Sequence, residues 1–432
     1  MKIGYYTFGG EISQSYGLAL CLYLNNINAE PCTKATARFY DCLLVSVFWW
    51  KHVEDFYTFC KEAKVGRVHG KTRTRLVVGG YNSFSPKIFE RHAHVVVVGD
   101  GDDVVLDAIN GIDQDCFWYE GKPSCVYNNA DISNHKYIYQ NERYISRVEI
   151  ARGCPYRCKF CQLSAIKKYR EVKTENVIEV LGWCKTRSIS CFAPNRTSHT
   201  GFTKIFDELD RLGISENAPD VRFNHIDKIR HNQCIQIGVE GLSERLRYEN
   251  GKKLSDDEMV EIVRKIMARG VHKKPHLFCG IILGLPGQTE DDFKAFTDLL
   301  DRISSLVVGA SCFTLFPIFN MFMPMPHTEY ENEPLKDLFF DYKSKLRSVL
   351  YDRKFRICVR GRLHSAYSRI KSMVLTRMDA TAEDTIAALN ANCSKLQEPA
   401  RTITALRVLK GLGVDDVVGV PKSQPWKCVC LS

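Results

Sequence analysis

The first third of the chain alternates short apolar runs with amphipathic stretches. Apolar runs at residues 2–8, 41–50, 75–80 and 94–99 predict strands, and helical periodicity at 15–26, 53–63 and 103–109 predicts helices between them. Such alternation implies a small doubly wound parallel sheet. Residues 111–144 carry turn signals and aromatics and lead into a second unit.

From residue 145 the pattern predicts further strands at 146–151, 188–193, 220–224, 234–240, 276–285 and 306–316, alternating with helices. Six βα units make an incomplete, TIM-type parallel barrel, with the active site expected at the strands' C-terminal ends. Ser255-Asp256-Asp257-Glu258 reads as a capping box with Gly270 after the helix end, and Thr289 can cap a helix entered by Glu290 and Asp292. Beyond Pro334 the pattern turns helical and basic, with helices expected at 335–350, 363–376, 382–389 and 400–412. The fold class is α/β, with units expected at 1–135, 140–325 and 330–432.

Composition narrows the class. A chain of 432 residues, one quarter charged and 45% hydrophobic, is globular and long enough for about three domains. The longest apolar runs, at 42–50 and 94–99, fall far short of the ~20 residues that span a membrane, and residues 1–13 lack a signal-peptide apolar region. A soluble, cytoplasmic protein with no membrane partner is expected. The terminal Val429-Cys430-Leu431-Ser432 fails the prenylation pattern. Without a secretion signal, the 18 cysteines are expected to be reduced, and the informative ones are those at metal-ligand spacing.

The strongest motif is Arg152-Gly153-Cys154-Pro155-Tyr156-Arg157-Cys158-Lys159-Phe160-Cys161, directly after a predicted barrel strand. Cys154, Cys158 and Cys161 can bind three irons of a [4Fe–4S] cube, and no fourth Cys follows at cluster spacing, so one iron stays open to a small molecule. The alternatives are a structural zinc, which usually needs a second CxxC or CxxH pair, and a ferredoxin-type cluster, which needs a fourth thiolate.

This segment resembles the radical S-adenosylmethionine (SAM) superfamily, whose signature is CxxxC-x-aromatic-C, here with Phe160 as the aromatic. The likeness continues through Ile235-Gln236-Ile237-Gly238-Val239-Glu240-Gly241, similar to the family's fourth-strand segment. It extends to Gly280-Ile281-Ile282-Leu283-Gly284-Leu285-Pro286-Gly287-Gln288-Thr289, similar to its fifth. The resemblance implies a [4Fe–4S] cluster, SAM chelated to the open iron, and one-electron cleavage to methionine and a 5′-deoxyadenosyl radical that removes hydrogen from carbon. It also implies an electron donor such as flavodoxin or ferredoxin. By the same resemblance Phe160, Gly280, Ile282 and Gly284 face the adenosine, and Glu240 contacts ribose or methionine. Asn195 and Arg196 occupy the place where relatives bind the methionine amino group, but the usual Gly-Gly-Glu is missing. Asn224 and His225 are expected at the same mouth.

The N-terminal segment, with Val77-Val78-Gly79-Gly80 and Val95-Val96-Val97-Val98-Gly99-Asp100-Gly101-Asp102, resembles the Rossmann-like, cobalamin-binding-type domain of one branch of the superfamily. No Asp-x-His-x-x-Gly follows any strand, so cobalamin is permitted but not expected, and the domain reads as a degenerate one that roofs the active site. Cys428 and Cys430 form a two-thiol pair that cannot complete a metal site alone.

Charge is uneven. Of a net +10, residues 335–378 contribute twelve Lys/Arg against three Asp, with Tyr342, Tyr351, Phe355 and Tyr367 interleaved. Arg353, Lys354, Arg356, Arg360 and Arg362 are the candidate phosphate contacts. The favoured reading is a radical SAM enzyme that rearranges or modifies a base in DNA or RNA, as an isomerase, mutase or group transferase; hypermodification of thymidine in viral DNA is one analogue. The alternatives are a cobalamin-dependent radical methyltransferase acting on a metabolite or peptide, and a non-catalytic iron–sulfur nucleic-acid-binding protein.

Overall fold

The computed structural model describes the chain apart from residues 9–14, 71–72, 141–145, 217–219, 229–233, 269–275, 308–313, 337–341, 343, 347–365, 422–423 and 432. Its N-terminal part is a six-stranded sheet of β1 (Ile3–Thr7), β2 (Ala29–Pro31), β3 (Cys42–Ser46), β4 (Arg75–Gly79), β5 (Val95–Val97) and β6 (Phe117–Trp118). The spatial order is β2-β1-β3-β4-β5-β6, parallel except for the edge strand β6. Successive side chains take opposite faces. Leu43, Val45, Leu76, Val78 and Val96 pack with Phe56 and Phe59 of the helix Trp50–Ala63. Cys42, Leu44, Val77, Val95 and Val97 pack with Cys21, Val105 and Ala108 on the other side. Both faces are covered, as the unbroken apolar runs require.

Two short pairs follow. β7 (Cys125–Val126) is joined by the C-terminal β17 (Val429–Cys430), and β8 (Tyr139–Gln140) pairs antiparallel with the first barrel strand, β9 (Ser146–Glu149). β10 (Ala151–Arg152) and β11 (Arg170–Glu171) form an antiparallel clip, and β12 (Ser188–Phe192) lies beside β9. The sheet β14 (Cys234–Glu240), β15 (His276–Leu283) and β16 (Thr314–Met321) completes an open, incomplete barrel.

Two sequence expectations need correction. The third strand, expected at 220–224, is interrupted: β13 (Ser215–Glu216) pairs with the start of β12, Asp220 bridges to Gln236, and Phe223–Lys228 is a 3₁₀ turn. The buried Arg196 occupies the break, donating to the Asp220 carbonyl at 2.9 Å and to Glu216 at 2.9 Å, so a side chain supplies a partner the ladder does not. Of the sixth strand, expected at 306–316, the residues from Thr314 are strand while Leu306 and Val307 end a helix, because Phe293, Phe296, Leu299, Leu300, Ile303 and Leu306 extend one helical stripe through Glu290–Val307. The capping box is present, Ser255 N–H donating to Glu258 at 2.7 Å and Glu258 N–H to Ser255 Oγ at 3.1 Å. Gly270 lies outside the described residues.

The C-terminal helices Ala366–Arg377, Ala382–Cys393 and Ala400–Gly411 share a core with the N-terminal sheet through Ile370, Met373, Val374, Leu389 and Leu409. Ser85 Oγ donates to the Thr376 carbonyl at 2.9 Å, and His92 meets Glu383 at 2.8 Å. Among the described residues no helix is long and apolar enough to cross a membrane.

Candidate active site

Alternation along the barrel strands assigns the lumen. Val148, Ile189, Cys191, Ile235, Ile237, Leu277, Cys279 and Leu315 go to the outer cores, under the helices. Residues of opposite parity therefore face inward: Arg147, Glu149, Ser188, Ser190 and Phe192 on one half, and Gln236, Gly238, Glu240, Phe278, Gly280, Ile282 and Phe316 on the other. Phe278 and Phe316 stack at 4.7 Å, with His276 against Phe316 at 5.3 Å, giving that half an aromatic floor.

The cysteine loop, residues 153–169, leaves β10 and returns as β11, with Ala151 opposite Glu171 and Arg152 opposite Arg170. Gly153 sits at φ +72°, and a Cβ there would lie 2.3 Å from the Lys168 carbonyl oxygen, so the two arms touch. On the other side the Asn250 carbonyl accepts from Lys159 N–H at 3.2 Å, and a Cβ on Gly251 would lie 2.8 Å from the Arg157 carbonyl. Cys154, Cys158 and Cys161 are all half-buried. Among the described residues no three His, Cys, Asp or Glu side chains converge closely enough to share one ion.

Burial raises the Cys154 and Cys158 thiols; the positive charges of Lys252 and Arg222 oppose it at both. Arg222 lies over the Tyr156 ring at 3.3 Å. Lys252 is 3.5 Å from Glu240, whose carboxyl is also raised by burial. Glu240 adopts φ +71° at a bulge in the β14–β15 ladder and folds back over Gly238, where a Cβ would lie 2.1 Å from its Oε1. Three thiolates on an iron cube carry net negative charge, and two cations beside a loop closed by glycine backbone fit such a group.

The other expected residues divide. Phe160 packs with Ile282 against Leu246, Leu285 and Phe322, so these two stand together beside the cysteine loop. Gly280 faces Gly238 across the ladder, and Gly284, at φ +77°, donates its N–H to Gln288 at 2.9 Å. Arg196 is engaged in the strand break, and Asn195 accepts from the Thr197 hydroxyl at 3.2 Å. Asn224 is exposed, and His225 is 3.1 Å from Thr197 Oγ1. Arg353, Lys354, Arg356, Arg360 and Arg362 lie outside the described residues. The other basic residues described in that segment serve the fold. Lys336 pairs with Glu333, Lys345 with Glu290 and Lys371 with Glu54, while Arg369 and Arg377 are buried against backbone carbonyls.

Arg222 and Lys252 were not singled out from sequence. The helix stop Asn250-Gly251 that precedes Lys252 is legible as a signal, but nothing local shows that this turn abuts the cysteine loop. A cavity of about 710 Å³ separates the C-terminal edge of the N-terminal sheet from β9 and β12. Phe48, Trp49, Gly80 and Tyr81 line it from above, and Glu149, Arg152 and Lys167 from the barrel. Tyr81 is raised by burial and, secondarily, by the Cys161 thiol.

Residues 148–300 match the radical SAM superfamily. The Methanocaldococcus jannaschii protein MJ0966 is 22% identical over 252 residues, covering 56% of this chain and 52% of the relative. The ribosomal protein uS12 methylthiotransferase RimO of Clostridium acetobutylicum is 24% identical over 223 residues, covering 46% and 48%. The chain thus spans about half the length of the curated relatives it matches. Among solved structures, the cobalamin-dependent SAM radical enzyme OxsB with aqua-cobalamin bound superposes at a TM-score of 0.52 with 13% identity, covering 99% of this chain and 78% of that one. With the cysteine loop and the strand order, the match identifies residues 148–300 as a radical SAM domain, and the superposition gives the chain, N-terminal sheet included, a fold similar to that of a cobalamin-dependent radical SAM enzyme.

Proposed function

We propose that the protein is an enzyme that generates a 5′-deoxyadenosyl radical and uses it to remove hydrogen from a carbon of a molecule held between the barrel and the N-terminal sheet. One observation carries the reading: the loop bearing the three thiols is rooted, through Arg152 and Lys167, in the wall of the interdomain cavity. Cys154, Cys158 and Cys161 would hold three irons and leave the fourth to SAM. Such a cluster, reduced by a flavodoxin- or ferredoxin-type donor, would supply the electron that splits the sulfonium. The chain's own part is placement and exclusion of water. Phe160 and Ile282 offer an apolar face, Gly280 leaves room in the lumen, and Glu240, folded over Gly238, presents a polar edge with Lys252. The test is the EPR spectrum of the anaerobically reconstituted, reduced protein. SAM should shift the cluster signal; a spectrum unchanged by saturating SAM would refute an open iron.

A second reading concerns the cavity's other occupant. Its place at the strand ends and the likeness to a cobalamin-dependent enzyme support a corrinoid there, bound without the usual histidine motif and serving methyl transfer. Hydroxocobalamin added to the protein should then co-elute on gel filtration. The polynucleotide reading rests on the basic stretch at 343–362. Charge reversal at Arg353, Lys354 and Arg356 should weaken DNA or RNA binding and flatten its salt dependence, and unchanged binding would remove that substrate class.

A further inference from the structure

The two arms of the cysteine loop carry three cations at their base, Arg152 on the outgoing arm and Lys167 and Arg170 on the returning one. All three converge on Asp100 of the N-terminal sheet. Arg152 and Lys167 each reach Oδ1 at 3.3 Å, and Arg170 reaches Oδ2 at 2.8 Å. Arg152 is also held in a two-pronged pair by Asp102, at 2.5 and 2.9 Å, and by Glu149 at 2.9 and 2.8 Å. Asp100, Asp102 and Arg152 are buried. Three cations thus meet three carboxylates, and only Glu149 comes from the barrel; without the two aspartates the base of the loop would hold two uncompensated, half-buried positive charges.

The aspartates are themselves fixed. A Cβ at Gly99 would lie 2.4 Å from the Asn128 carbonyl oxygen, so the turn is pressed against the segment that follows β7, and Asn128 Nδ2 donates to the Asp100 carbonyl at 2.7 Å. Asn129 accepts from Lys168 N–H at 3.1 Å, and the Ala130 carbonyl from Arg170 at 2.5 Å, so the crossing segment grips the same arm.

We propose that Asp100 and Asp102 are positioning residues for the iron–sulfur site: by clasping Arg152, Lys167 and Arg170 they fix the mouth of the cysteine loop and set the charge beside it, making the N-terminal domain a working part of the radical-generating centre. This rests on the cluster reading above. It gives the Gly-Asp-Gly-Asp turn a task whether or not the cavity takes a corrinoid.

The experiment compares anaerobically reconstituted wild type, Asp100→Asn, Lys167→Met and the double variant, measuring the cluster midpoint potential and iron loss to a chelator. Asp100→Asn removes a negative charge and should shift the potential upward, Lys167→Met should shift it downward, and the double variant should return it to the wild-type value. Iron loss should quicken about tenfold to a hundredfold in Asp100→Asn, as for other groups that orient metal ligands. Shifts of the same sign, or none, would overturn the proposal and leave the clasp as interdomain packing alone. If Asp100→Asn does not fold, the double variant against Lys167→Met decides: a restored potential supports the clasp, and equal potentials overturn it. Wild type that takes up no cluster would instead contradict the cluster reading.

Discussion

Gly153→Ala isolates the geometry of the cysteine loop with one methyl group. A non-glycine residue in the left-handed region costs roughly 1–2 kcal/mol. Gly153 has φ +72°, and its Cβ would also meet Lys168 O at 2.3 Å, Lys168 C at 2.6 Å and Lys167 O at 2.8 Å, all of them backbone atoms. Relieving such overpacking adds about 1–3 kcal/mol, for a total of about 2–5 kcal/mol. Gly213→Ala is the control, at φ +66° with nothing within 4 Å, and should cost only the first part. A cost of about 3.5 kcal/mol at Gly153, the middle of that range, leaves a domain stable by about 5–15 kcal/mol folded. The excess at Gly153 is most readily relieved by parting β10 from β11, which opens the loop. Denaturant melts give the two stabilities, and iron per chain after anaerobic reconstitution reports the loop. Gly213→Ala should load iron like wild type, and Gly153→Ala should load less. Equal loading in the two would refute the claim that contact between the arms shapes the site.

Other outcomes follow from single side chains. Burial, aided by Lys228 and Arg222, pushes the His225 imidazole down to about 4 from 6.5, so the folded state binds its proton more weakly than the unfolded chain does. Stability should therefore fall as pH drops from about 6.5 through about 4, and melts of His225→Gln should show a flatter dependence across that window. Trp49 lines the cavity yet is 61% exposed. If the cavity takes a corrinoid, Trp49→Ala should weaken hydroxocobalamin binding, measured by equilibrium dialysis, while changing stability by about 0.5 kcal/mol or less. Burial lowers Arg377 to about 10, and its guanidinium caps the carbonyls of Glu331, Glu333, Val417 and Gly419. Arg377→Met leaves these acceptors unpaired and should cost about 3 kcal/mol or more in a denaturant melt; a loss under about 1 kcal/mol would contradict that role.

The parallel sheet and the open barrel were legible because their strands are short apolar runs whose register burial enforces on both faces. The cysteine spacing was legible because three thiols close in sequence must share one loop. The interrupted third strand was not, since its break is filled by Arg196, which lies twenty residues before Glu216 and twenty-four before Asp220. The displaced sixth strand failed for a different reason: Leu306 and Val307 read equally well as the end of a helical stripe or the start of a strand. Basic residues at 336–377 suggested a phosphate-binding face, yet those described are largely spent on carbonyls and carboxylates of the same chain. The pairing of Asp102 with Arg152 spans fifty residues and two units, and no local pattern announces it.

The account stands on three cysteines holding a cluster that cleaves SAM by one electron. The most direct measurement is 5′-deoxyadenosine formed on anaerobic incubation of the iron-loaded protein with SAM and dithionite, for wild type and Cys158→Ala. Wild type should form 5′-deoxyadenosine and methionine together, and Cys158→Ala neither; no 5′-deoxyadenosine from iron-loaded wild type, or equal amounts from both proteins, would contradict it.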